Sequence, residues 1–165
     1  MLIHAYYKSF NIPVLIIRCN NVYGPRQYPE KVIPSFIYNI LNDKQCLIHG
    51  EGLTERHFIY ISDAIEALIT IWNKGSFDAN VYNIAALESS IKIIKLAKLL
   101  IKKIKNNPDV DVNSYLKFIE DRKFNDLRYH ILGDKLKNLD WKPQVQLSEG
   151  LNKTIEYFKN IIKNN

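Results

Sequence analysis

Val14-Leu15-Ile16-Ile17-Arg18-Cys19-Asn20-Asn21-Val22-Tyr23-Gly24-Pro25-Arg26-Gln27-Tyr28-Pro29-Glu30-Lys31-Val32-Ile33-Pro34 is the stretch from which the rest of the chain can be read. Its first five residues are a continuous apolar run of strand length, the pattern of a strand buried on both faces of a parallel sheet. Residues 20–30 carry Gly24-Pro25 and Pro29 and read as loop. From 32 to 41 the pattern turns helical. Pro34 is tolerated there because in a first turn its missing N–H removes no helical hydrogen bond. Upstream, residues 2–10 read as the end of a helix, stopped by Asn11-Ile12-Pro13.

Downstream, Cys46-Leu47-Ile48-His49 is a short strand turned by Gly50-Glu51-Gly52. The alternating, β-branched run 56–61 is read as a second strand. Ser62-Asp63 is expected to cap a helix that Lys74-Gly75 ends. Residues 80–85 form another strand, followed by a lysine-bearing helix from about Ser89. The segment 106–113 is a polar linker, 116–119 a short strand and 121–128 a charged loop. A short helix is expected over 133–139 and a final helix over 148–162. A parallel strand at 14–18 needs parallel neighbours, and too few strands follow to complete a doubly wound sheet. The pattern predicts an α/β chain whose sheet is unfinished.

Composition narrows the function classes. The 165 residues are 47% hydrophobic and 24% charged, ordinary for a soluble globular domain. No apolar run approaches the roughly 20 residues that cross a bilayer, and the first residues do not read as a secretory leader. Cys19 and Cys46 supply neither a disulfide framework nor metal-ligand spacing. Asn152-Lys153-Thr154 matches a glycosylation acceptor, read as chance in a chain with no secretory signal. The expectation is a cytosolic protein. The net charge of +6 is concentrated between Lys92 and Lys105. There Ile93, Ile94, Ala97, Leu100, Ile101 and Ile104 share an arc of about 120°, with the lysines opposite. That is a surface helix covering a core. A polyanion-binding or membrane-surface helix has the same pattern, but Leu96 and Leu99 flank the apolar arc and ask for burial, so neither a nucleic acid nor a membrane is expected as partner.

The segment 18–34 resembles the loop after the sixth strand of the extended short-chain dehydrogenase/reductases. Its Pro29-Glu30-Lys31-Val32-Ile33-Pro34 ending is similar to dTDP-glucose and UDP-glucose 4,6-dehydratases. Further signatures follow in order: Ile48-His49-Gly50 with Gly52, then Thr54-Glu55-Arg56-His57-Phe58-Ile59-Tyr60 with Asp63. Val81-Tyr82-Asn83-Ile84 and Asp121-Arg122-Lys123-Phe124-Asn125-Asp126-Leu127-Arg128-Tyr129 come next, and Leu139-Asp140-Trp141-Lys142-Pro143 and Glu149-Gly150-Leu151 close the series. In that family NAD oxidises the sugar at C4, water is lost across C5–C6, and the hydride returns to C6. The chemistry needs a glycine-rich turn to hold the NAD pyrophosphate on a helix N-terminus. It also needs a Tyr-x-x-x-Lys pair whose lysine lowers the tyrosine pKa. No glycine here makes the first pattern and no tyrosine has a lysine four places on.

The resemblance therefore implies the C-terminal, substrate-binding part of a Rossmann-type fold, beginning about halfway through a full-length member. Residues 1–25 and 80–86 would be remnants of the Rossmann sheet, and 26–79 with 87–165 the substrate-binding subdomain. No catalytic residue is expected, and NAD, the full-length family's cofactor, is not expected to bind this chain alone. The implied ligand is a nucleotide diphosphate-sugar, and the implied protein partner is a separate N-terminal half or a full-length dehydratase. A non-catalytic nucleotide-sugar-binding or partner module is the alternative.

The resemblance also implies site residues. Arg56 and Arg122 stand at the diphosphate positions, where a permanently charged, bidentate guanidinium is suited to two phosphate charges. Taken alone, each would read as solvated surface. Asn21 and Asn83 match asparagines that hydrogen-bond the substrate, although loop asparagines by themselves are turn formers. Lys31, Val32, Leu47, Ile48 and His49 match the walls around the nucleotide base, and Asp121 and Asn125 fall in the same substrate loop as Arg122. Three positions depart from the family. Val22 stands where some members have an asparagine at NAD, Lys123 replaces a proline, and Ala85 replaces a glycine, which restricts backbone approach to a ligand.

Overall fold

The computed structural model describes residues 1–87, 89–124, 126–128 and 131–163. Helix α1 (Leu2–Phe10) leads into strand β1 (Val14–Cys19), which pairs in parallel with β6 (Asp78–Ile84). Between them lie β2 (Asn21–Tyr23), α2 (Val32–Leu41), β3 (Cys46–His49), β4 (Glu55–Arg56), β5 (Phe58–Tyr60) and α3 (Ile61–Lys74). After β6 come β7 (Ile91–Lys92), α4 (Ile93–Lys105), β8 (Leu116–Ile119), α5 (Asp134–Lys137) and α6 (Leu147–Lys163). Among the described residues the strands form four pairs: β1 with β6, β2 with β5 and β3 with β8 in parallel, and β4 with β7 antiparallel.

Two apolar cores result. The larger gathers α2, β3, α4, β8 and α6 around Ile37, Ile40, Ile48, Leu96, Leu100 and Ile101. The smaller gathers α3, β6 and α5 around Ala67, Ile71, Ile84 and Leu136. The lysine-bearing helix behaves as a core cover. Leu96, Ala97, Leu100 and Ile101 are fully buried, whereas Lys95, Lys98 and Lys102 face solvent. Lys103 and Lys105 turn back to the protein, Lys103 to Ser148 and Asn152 and Lys105 to Asp43 and Tyr115. No helix among the described residues is long and apolar enough to cross a membrane.

Five features differ from the sequence expectation. The lysine-bearing helix starts at Ile93 and not near Ser89, because Ile91-Lys92 pair with β4 as β7. β1 is parallel as expected but only half-buried, with Ile17 39% exposed, because β6 is its sole partner among the described residues. The loop 20–30 contains β2, too short to show a period of its own. The run 56–61 splits at His57 into β4 and β5, which take different partners. The expected Ser62-Asp63 cap does not form. Tyr60 is the N-cap, without a side-chain cap bond. Asp63 instead points across the chain, 2% exposed, accepting the backbone N–H groups of Gln144 and Val145 at 3.0 and 2.9 Å. Those donors, just past Pro143, lie outside any helix or strand, and a first-turn carboxyl also suits the positive end of the helix.

Asp63 therefore ties α3 to the segment entering α6. Asp63→Ala would strand two backbone donors, and the expected loss is about 2–3 kcal/mol of unfolding free energy. Urea titration checks it against Lys98→Ala on the solvent face of α4, which should move by no more than about 0.5 kcal/mol.

Candidate functional site

The strand pairings converge on one cavity of about 360 Å³. In β3 the period-two alternation buries Cys46 and Ile48 in the larger core and sends Leu47 and His49 to the other face. The parallel register sets His49 opposite Ile119, so Glu120-Asp121-Arg122 leave β8 at the end where His49 sits. His49 Nδ1 lies 3.3 Å from the Glu120 carbonyl oxygen. Gly50 makes the turn after β3 with a φ of +54°, and the Asp121 side chain occupies the space a Cβ would take. Lys31 and Val32 bring the N-terminal end of α2 to the opposite wall, with Ile33 and Phe36 beneath them. β2 and β5 add Asn21, Val22 and Phe58, β4 adds Arg56, and Ile93 begins α4 at the rim.

Of the residues singled out in the sequence, the structure brings Asn21, Lys31, Val32, Leu47, His49, Arg56 and Arg122 to this cavity. It does not bring Ile48, which the strand alternation turns fully into the core. Nor does it bring Asn83, whose Nδ2 donates to the Leu132 carbonyl on the β6 side and whose Oδ1 is buried without a partner among the described residues. Asp121 is beside the site but not on its wall. It accepts the backbone N–H of Arg122 and packs on Gly50. Asn125 lies outside the described residues.

Sequence reasoning missed Gln27, Phe36, Thr54, Phe58 and Ile93, which also line the cavity. Phe36 was legible in principle as the inward position of α2 one turn from Val32. Gln27 was not. Its place comes from a turn closed on Gly24 and from its Nε2 bond to the Val22 carbonyl at 2.7 Å.

The electrostatics are lopsided. Arg122 has no side-chain partner among the described residues and Lys31 is exposed at the helix start, so two cations border an apolar floor. Arg56 is more committed, its Nη1 donating to the carbonyls of Glu55 at 2.8 Å and Asp126 at 2.7 Å. Asn21 likewise spends its Nδ2 on the His57 carbonyl. The Glu55 carboxyl is held below its usual range by the Ser90 hydroxyl, with Arg128, Lys92 and Lys95 adding to the effect. Burial pushes both thiols up, Cys19 to about 11 and Cys46 to about 12, away from the thiolate form that would react. No group of acidic, histidine or cysteine side chains that could hold a metal occurs among the described residues.

The cavity thus joins an apolar floor to two exposed cations at its rim, beside parallel strand pairs. Residues 1–85 match the model of the NAD dependent epimerase/dehydratase family, and the chain belongs to that family. It is 40% identical to the dTDP-D-glucose 4,6-dehydratase of Mus musculus over 95% of this chain and 44% of the mouse protein. A crystal structure of dTDP-glucose 4,6-dehydratase from Bacillus anthracis in complex with NAD superposes with a TM-score of 0.87 at 30% identity, covering 99% of this chain and 50% of that one. UDP-glucuronic acid 4-epimerase from Bacillus cereus, in complex with UDP-glucuronic acid and NAD, gives a TM-score of 0.85 at 29% identity, over 97% and 49% of the two chains. The chain thus spans about half the length of the proteins it matches.

Among the described residues no glycine turn builds a cradle for the NAD diphosphate. Gly24, Gly50 and Gly52 all have positive φ, but each turns a loop, and the space a Cβ would need is already filled by Ile61, Asp121, or Ile48 with Ile94. None opens a helix after a strand.

Gly50 couples the β3 turn to the segment bearing Arg122. Gly50→Ala would put a side chain in the left-handed region and against Asp121, and a loss of about 1–2 kcal/mol is expected by urea unfolding. Gly133→Ala, at negative φ, is the comparison and should cost less.

Proposed function

We propose that these residues form the nucleotide-sugar side of a dTDP-glucose or UDP-glucose 4,6-dehydratase, with 26–79 and 87–165 as the substrate-binding unit. The observation that carries the reading is Arg122, a cation without a protein partner among the described residues, set with Lys31 over the floor of Phe36, Phe58 and Ile33. A nucleoside diphosphate-sugar has the matching parts: a flat apolar base, two phosphate charges and a polar hexose. Apolar walls with a few convergent polar groups are what small-ligand sites need. The 40% identity to the mouse dehydratase favours elimination over epimerisation, since the solved dehydratases and epimerases superpose almost equally well and at similar identity. In this reading the chain binds and orients the substrate, the redox and proton-transfer residues lie outside these 165, and the protein works in the cytosol.

A second element of the proposal concerns the open edge of β1. Ile65, Leu68, Ile69 and Trp72 form an exposed apolar stripe along α3, and Leu2, Tyr6 and Phe10 do the same on α1. A parallel strand left half-bare, flanked by such faces, favours docking of a further α/β segment that supplies the NAD-binding half, on the same polypeptide or another.

Titration calorimetry with UDP and dTDP tests the site. Charge-assisted hydrogen bonds are worth roughly 1.5–3 kcal/mol, so Arg122→Ala should weaken binding about tenfold or more. Lys102→Ala, on the outer face of α4, should leave it unchanged. Equal small losses in both variants would mean diffuse charge attraction and no pocket. The 165 residues alone, given dTDP-glucose or UDP-glucose and NAD, are expected to form no 4-keto product. Its appearance by alkaline absorbance would overturn the division of labour. Co-expression with the N-terminal half of the mouse relative should raise the soluble yield, an effect Trp72→Glu should weaken.

A further inference from the structure

Arg122 and Arg128 leave β8 on the same charged segment, and the structure shows what holds that segment down. The Glu55 backbone N–H donates to the Leu127 carbonyl at 2.8 Å, and Glu55 bridges to Arg128 in parallel. Its carboxylate oxygen Oε2 lies 3.4 Å from Arg128 Nε and accepts the Ser90 hydroxyl at 2.7 Å. Next to it, Arg56 Nη1 donates to the Asp126 carbonyl. The Glu55 side chain is only 16% exposed, whereas Arg128 is 73% exposed. The acid is therefore the fixed member of the pair. β4 is itself steadied by the antiparallel pairing of Glu55 with Lys92 and Arg56 with Ile91.

We propose that Glu55 is a positioning residue: it latches the segment carrying Arg122 and Arg128 onto β4 and so keeps Arg122 over the cavity. The role rests on the nucleotide reading of that cavity. It also sets two physical effects against each other. Glu55 is an anion between two cavity-lining residues, Thr54 and Arg56. By Coulomb's law alone, its removal should tighten the binding of a diphosphate. Loss of the latch should weaken binding, because Arg122 would have to be ordered at the moment the ligand arrives. The sign of the change separates the two. Ser90 fits the latch as well, since its hydroxyl donates to the same Glu55 oxygen that Arg128 meets and comes from the loop before β7.

The test is titration of UDP into wild type, Glu55→Gln, Arg128→Gln, Arg122→Ala and the Glu55→Gln/Arg122→Ala double variant. Amide hydrogen exchange of each unliganded protein accompanies it. Glu55→Gln keeps the side-chain volume and can still meet Ser90, so the fold should persist. Arg128→Gln changes a surface residue that no core contact depends on. Both are expected to weaken UDP binding, about twofold to fivefold, as befits a partly exposed ion pair acting through a segment's order. Exchange should rise in peptides covering 120–128 and stay unchanged in α4. Arg122→Ala should cost much less in the Glu55→Gln background than in wild type, because the two residues act through one event. Unchanged or tighter binding by Glu55→Gln overturns the latch and leaves the nucleotide site standing. Additive losses in the double variant overturn it too. Failure of wild type to bind UDP overturns the nucleotide reading, and the role of the latch falls with it.

Discussion

The pairing of β2 with β5, three residues against three, is the contact on which both cores depend. Because successive side chains on a strand face opposite ways, the pair feeds each core from one face. Tyr23 and Tyr60, directly paired, enter the larger core with their rings 5.5 Å apart and nearly edge-on. Val22 and Ile59, also paired, enter the smaller. Tyr23 is then pinned from far along the chain, its hydroxyl donating to the Leu147 carbonyl at the start of α6. Gly150, one turn on, leaves room for that hydroxyl. The same pairing puts Asn21 opposite Phe58 and so creates the cavity wall that joins the segment after β1 to the segment after β4. A seam this short survives because it is buried and aromatic, not because it has many hydrogen bonds.

What could be read beforehand followed the length of each signal. α2 and β3 were legible to the residue, and α4 nearly so, the helices from a period of helical length and β3 from a short apolar run closed by Gly50-Glu51-Gly52. β2 carries none, since three residues cannot show alternation, and only its partner makes it a strand. Asp63 looked like a cap because a short acid beside a helix start usually is one. Its long-range use is invisible without knowing where 144–145 lie. Several segments that the resemblance singled out do line the cavity, yet local geometry decides which of their side chains arrive. Ile48 and His49 are neighbours in one matched stretch, and alternation alone parts them, one to the core and one to the cavity. Asn83 shows the other limit, a residue whose strand runs as expected but whose amide is engaged away from the cavity.

Charge reads differently once the fold is known. Of the α4 lysines, Lys95, Lys98 and Lys102 face solvent, and Lys103 and Lys105 stitch the helix to its neighbours. The cations at the cavity are few and come from separate places in the chain, Lys31, Arg56 and Arg122. Their effect depends on where they sit and how many contacts they already make. Arg56, spending one nitrogen on two carbonyls, is as much a structural tie as an anion receptor.

The parallel register of β3 and β8 divides the connections around it into tolerant and intolerant ones. In the stretch between α4 and β8, Val110, Val112 and Tyr115 pack on the larger core, but 106–109 are exposed and only have to return the chain, and the entropy of closing a loop grows slowly with its length. Residues could be gained or lost there over evolution, or inserted by design, with little effect on the cavity. The few residues after Ile119 have no such freedom. A slip of two places between the strands keeps every side chain on its proper face, yet slides Arg122 past His49 by roughly 6.6 Å, about the size of a sugar ring. Length variation within this fold should therefore collect before β8 and be rare just after it, and a tag or hinge grafted into this chain belongs on the upstream side.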